Sequence, residues 1–151
     1  DRDYFETFPA FSPISQAVVR NFLLGNTRSL TRKAMEIRLA VDLANAFTPE
    51  EIMTMYAQKA YLGANCFGFE DALNIRLGVA LEDASIADAL ALATLLKSPM
   101  AYESTSAQYQ WRFRFLALEG ALAGFWSEDD AEALILAGPT EILPDVSCQT
   151  E

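Results

Sequence analysis

Apolar positions recur at three- and four-residue spacing along most of this chain, and that spacing predicts helices throughout. Ser12 and Pro13 offer a capping residue followed by a proline at the first helical position. Gly25 and Asn26 supply the stop, so a first helix is expected over about 13–24. A second is expected over about 30–46, with Ala34, Ile37, Val41 and Ala44 on one apolar face. The strongest start signal is Thr48-Pro49-Glu50-Glu51: an N-cap, a proline, and a glutamate placed to close a capping box. The helix it opens should last to about Ala60. Gly63 and Gly68 bracket a loop, and a further helix follows over about 69–77. Ser85 with Asp88 opens an apolar helix to about Leu96, stopped by Ser98-Pro99. Residues 106–123 read as a long helix, and Ser127-Glu128-Asp129-Asp130 open a short last one. Strand signals are nearly absent, so the expected class is all-α.

A length of 151 residues suits one domain with a single core. We expect that core over about 1–137. After Arg114 the chain holds eight acids and no base, and from about 138 it has two prolines and little periodicity. Residues 138–151 are therefore expected to form a loosely packed acidic tail. The most apolar window, 86–96, is broken by Asp88 and is far shorter than a bilayer crossing requires. A net charge of -10 argues against nucleic-acid binding. The absence of histidine excludes a Ser-His-Asp triad and any His-ligated metal. Proton transfer must fall to carboxylates, Tyr, Lys or water. Cys66 and Cys148 either pair, as in an exported protein, or remain buried thiols.

Against this acidic background, Arg20, Arg28, Arg32, Lys33 and Arg38 fall close together, and Glu36 is the only acid between Ala10 and Ala40. Like charges repel unless something neutralises them, so the cluster reads either as a solvated face or as a site for a phosphate or pyrophosphate. Glu36 lies one helical turn after Arg32, where the two can pair.

The order of residues around the cluster resembles the peptidoglycan glycosyltransferase domain, glycosyltransferase family 51, found in monofunctional transglycosylases and class A penicillin-binding proteins. Arg32-Lys33-Ala34-Met35-Glu36 matches the family's R-K-x-x-E. The stretch from Ser12-Pro13-Ile14-Ser15-Gln16 to Arg20-Asn21 resembles S-T-I-T-Q-Q-x-x-K-N. Ile52-Met53-Thr54-Met55-Tyr56-Ala57-Gln58, then Tyr61-Leu62-Gly63 and Gly68, look like I-L-E-x-Y-L-N…Y-F-G…G. Arg76-Leu77-Gly78 stands where the family has Y-F-G. Leu95-Leu96-Lys97-Ser98-Pro99-Met100-Ala101-Tyr102 follows L-P-x-x-P-x-x-Y. The specificity lies in the ordered series, which covers residues from Asp1 to Arg114.

The resemblance implies a lysozyme-like helical fold and polymerisation of lipid II into glycan strands with release of the lipid pyrophosphate. It implies Glu36 and Asp1 as catalytic carboxylates. Arg20, Arg28, Arg32 and Lys33 would bind the substrate's pyrophosphate, with Ser12, Ser15, Gln16 and Gln58 lining the cleft. It admits a divalent cation, Mg or Mn, at the pyrophosphate. Partners would be lipid II, the growing glycan strand, the inner membrane through a segment outside this chain, and cell-wall synthesis proteins. The location would be the periplasmic face of the inner membrane in a bacterium. Departures are concentrated in the first motif, E-D-x-x-F-x-x-H-x-G: with Phe5 aligned, Asp1 replaces the catalytic glutamate, Arg2 the aspartate and Phe8 the histidine. The family's mobile flap has no counterpart between Pro9 and Ser12. Pro13, Ala17, Thr54 and Gln58 also differ from the pattern. Two alternatives follow: a catalytically degenerate relative that binds lipid-linked precursor or a synthase partner, and a lysozyme-like hydrolase using Glu36 as its acid.

Overall fold

The computed structural model describes residues 13–24, 29–99, 106–143 and 146–148. Asp1, Ser12, Arg28 and the motif end at 100–102 lie outside them. Among the described residues the structure is helical, with one isolated antiparallel bridge between Tyr61 and Phe67 and no strand. The chain falls into two compact units, Asp1–Ala60 and Tyr61–Glu151.

In the first unit, α1 (Pro13–Val19) runs into a π-helical turn, Arg20–Leu24. The regular helix expected over 13–24 is therefore corrected at its second half. A π turn takes an extra residue, so positions after Val19 leave the face that a 3.6-residue period assigns them. α2 (Leu30–Ala46) is N-capped by Ser29, whose Oγ accepts from Arg32 N at 3.0 Å. α3 (Pro49–Lys59) carries the expected capping box: Thr48 N donates to Glu51 Oε2 at 2.8 Å, and Glu51 N to Thr48 Oγ1 at 3.3 Å. α1 packs on both α2 and α3. The buried apolar side chains, Ala17, Val18, Val19, Ala40, Ile52 and Ala60, are small or branched.

The second unit opens with a tight loop. Gly63, Ala64 and Asn65 all have positive φ (83°, 48° and 55°), and Gly63 is also required for space, since a Cβ there would lie 2.6 Å from Pro99 O. α4 (Phe69–Ala72) continues as a second π turn, Leu73–Leu77, closed by Gly78 in the left-handed region, and a 3-10 turn follows at Leu81–Asp83. Then come α5 (Ile86–Leu95), α6 (Ala107–Leu122) and α7 (Glu128–Ala137). α5 and α7 start with capping boxes from Ser85/Asp88 and Ser127/Asp130. Leu62, Cys66, Ala72, Leu73, Leu92, Leu95, Tyr109 and Ile142 form one core. Leu90, Phe113 and Ala117 form a second, beneath Trp126, whose Nε1 donates to Ala117 O at 2.9 Å.

Within the tail expected to be loose from 138, the described residues Thr140, Ile142, Leu143 and Cys148 are tied down. Thr140 Oγ1 donates to Asp88 Oδ1 at 2.5 Å, Ile142 is buried in the core, and Leu143 N donates to Arg76 O at 3.0 Å. Cys148 is disulfide-bonded to Cys66, and its N–H donates to Ala64 O at 3.2 Å. Aperiodic sequence hides such anchors, because a single buried side chain and a cross-link leave no repeat to read.

Candidate functional site

The first turns of α2 present Arg32, Lys33 and Glu36. Spacings of three and four residues place both cations on the glutamate's side of the helix. Glu36 is only 1% exposed. Its Oε2 accepts from Arg32 Nη1 at 2.6 Å and its Oε1 from Lys33 Nζ at 2.6 Å. Lys33 Nζ also donates to Gln16 Oε1 at 2.8 Å, which stitches α2 to α1. Arg32 is mostly buried, with its Nε lacking a hydrogen-bond partner among the described residues, whereas Lys33 is about half exposed. One carboxylate thus fixes two cations and leaves a local charge of +1.

The Lys33 hydrogen bond holds the Glu36 carboxyl below its ordinary value; Arg32 adds to this, and together they outweigh the opposing effect of burial. Glu36 is therefore an anion at neutral pH with both oxygens occupied. It cannot serve as a proton donor there, which argues against the hydrolase alternative, since a general acid needs a raised pKa.

Arg20 sits in the π turn that follows α1, half-buried, with no hydrogen bond to a described residue. Its charge acts on Tyr56 of α3, where burial raises the phenol's pKa and Arg20 opposes the rise. Ser15 is buried on α1, one residue before Gln16. Gln58 is exposed on α3, with no hydrogen bond to the cluster. Of the expected residues, the structure joins Gln16, Arg32, Lys33 and Glu36 through hydrogen bonds and sets Ser15 and Arg20 on the same helical run as Gln16. Asp1, Ser12 and Arg28 fall outside the described residues. Tyr56 is the neighbour that sequence reasoning assigned no role: nothing in a one-dimensional pattern links it to Arg20, whereas its place in the family-like run was visible. Among the described residues no group of three or more Asp, Glu, Cys or His could hold a metal ion. No described helix is long and apolar enough to cross a membrane.

Residues 11–118 match the model of the Transglycosylase family. Penicillin-binding protein 1A of Pseudomonas aeruginosa is 37% identical over 91 residues, 60% of this chain and 11% of that protein. A Cupriavidus necator protein, named as an inferred transglycosylase, is 38% identical over 90 residues, 60% of this chain and 39% of its own length. Penicillin-binding protein 2a of Streptococcus pneumoniae is 37% identical over 91 residues, 60% of this chain and 12% of that protein. The matched region thus spans well under half the length of each of these relatives.

Proposed function

The chain belongs to the transglycosylase family, glycosyltransferase family 51, and from that premise we propose that it polymerises lipid II into glycan strands with release of the lipid pyrophosphate. The observation that carries this reading is the pair of cations locked by a buried, ionised Glu36 beside Gln16. A diphosphate leaving group gains negative charge as its bond to the sugar breaks. Cations already fixed in place stabilise that charge without having to reorganise. Lys33, half exposed and with its Nζ shared between Glu36 and Gln16, is the group that reaches the substrate. Glu36 and Arg32 position it, and Arg20 adds a second charge from the π turn. We route no step through a divalent cation: among the described residues no group of three or more Asp, Glu, Cys or His could hold one.

The acceptor's 4-hydroxyl must lose a proton, and Glu36, with both oxygens engaged, is poorly placed to take it. That observation favours two forms of the proposal: Asp1 or a glutamate outside these 151 residues takes the proton, or the chain binds the lipid-linked donor without turning it over, as a scaffold. Polymerisation of lipid II by the full-length protein, measured beside lipid II binding, separates them. Lys33→Ala should lower turnover about 100-fold, the size expected for losing one charged stabilising donor. Wild-type binding without polymer would select the scaffold form. Polymer formed equally well by Lys33→Ala and Glu36→Gln would overturn the site. We place the domain outside the cytoplasm, at the periplasmic face of the inner membrane; the Cys66–Cys148 disulfide supports an oxidising compartment.

A further inference from the structure

α6 is apolar on two opposite faces. One face, Tyr109, Phe113, Ala117 and Gly120, is buried inside the second unit. The opposite face carries Trp111, Phe115, Leu118 and Leu122, which are 65%, 39%, 52% and 85% exposed, and Phe125 just beyond the helix is 79% exposed. Trp111 and Phe115 stack with ring centroids 5.5 Å apart. Positions 111, 115, 118 and 122 are spaced by four, three and four, the seam of a two-helix pairing, and Phe125 follows just past the helix end. A contiguous exposed apolar face of this size marks an interaction site rather than ordinary surface.

We infer that two copies of this chain pair through this face of α6, antiparallel about a two-fold axis near the middle of the helix. Area and charge both identify the occupant. The five side chains expose on the order of 600 Å² per copy, taking the usual burial of large apolar side chains, so a symmetric pair clears the roughly 1,000 Å² that a specific interface needs. Arg112 and Glu119 lie along one edge of the seam, seven positions apart. Arg112 makes no ion pair among the described residues, and its Nε is buried with no hydrogen-bond partner. In an antiparallel pair, Arg112 of each copy faces Glu119 of the other, giving two ion pairs by symmetry. An anionic lipid surface is a poor match, since the chain carries eight acids and no base after Arg114.

Sedimentation velocity on the 151-residue chain, from about 1 to 100 µM, tests the pairing. A concentration-dependent dimer is expected, and Leu118→Arg should abolish it with helical circular dichroism unchanged. Arg112→Glu should weaken it about tenfold or more, and Arg112→Glu combined with Glu119→Arg should restore it. A wild-type monomer across the whole range, or a dimer indifferent to Leu118→Arg, overturns the proposal. Failure of the double charge swap to restore pairing overturns the antiparallel arrangement. A monomer that floats with phosphatidylcholine vesicles, and loses this with Leu118→Arg, would overturn the pairing and assign the face to lipid.

Discussion

Among the largest fully buried side chains, the first unit contributes Glu36, Val19 and Ser15, whereas the second contributes Tyr109, Phe113, Leu62, Leu92 and Leu95 together with Thr94 and Cys66. The first unit buries a charge and the small residues around it; the second buries aromatic and aliphatic bulk and closes it with a disulfide. Each unit also holds an arginine largely shielded from solvent, with a different partner. Arg32 meets a carboxylate, while Arg76, 6% exposed, donates through Nη1 to Leu62 O at 2.6 Å. Burial lowers the Arg76 pKa, with only the Tyr109 and Tyr61 side chains opposing it. An arginine bound to a backbone carbonyl fixes a loop, whereas one bound to a buried carboxylate holds charge in a set place. On the function proposed above, the contrast separates stability from chemistry along the sequence, since a buried ion pair is weak evidence for stability and serves better to position charge.

The largest expected effect lies in the second unit. Replacing Cys66 and Cys148 by serine opens a loop with a sequence separation of 82 and should cost about 4 kcal/mol, read as a lower denaturant midpoint. Hydrogen exchange should report the loss in residues 61–148, with amides of α1 to α3 little changed. Next comes Glu36→Gln, which leaves the largely buried Arg32 without its counter-charge and should cost about 3 kcal/mol. Here exchange should quicken in α1 and α2 first. If both variants loosen both units equally, the division of labour described above is wrong.

Acid provides a finer test. The folded Glu36 carboxyl titrates below its ordinary value of 4.5, so its contribution is fully present above pH 4.5 and is lost as pH falls through the lower folded value. Tryptophan fluorescence would report mainly on the second unit, which holds both tryptophans, so exchange of α2 amides is the better probe. Glu36→Gln should flatten the acid dependence of α2. The smallest effect compares two ion pairs on one helix. Arg38 and Asp42 meet at 3.2 Å with both side chains exposed, and Arg38→Ala should shift stability by less than about 0.5 kcal/mol. A loss as large as that of Glu36→Gln would mean that burial is not what distinguishes the two pairs.

Helix starts were legible because capping is local: the boxes at Thr48, Ser85 and Ser127 each span four residues and are formed as their sequence implies. The two π turns were not, since no residue type announces one extra residue per turn. At the site, the Arg32–Glu36 pair follows from helical spacing alone. The reach of Lys33 to Gln16, seventeen positions away, does not; only the likeness of both motifs to one family brought them together before the coordinates did. The anchoring of Thr140, Ile142, Leu143 and Cys148 was hidden because it rests on isolated long-range contacts.

The bond between Cys66 and Cys148 makes every peptide linkage between them part of a closed ring. A protease that cuts once anywhere within that ring releases nothing: the nicked molecule keeps all its parts, and both new ends stay tethered near their native neighbours. In the extracytoplasmic space proposed above, a single scission would then be a wound that the fold can survive.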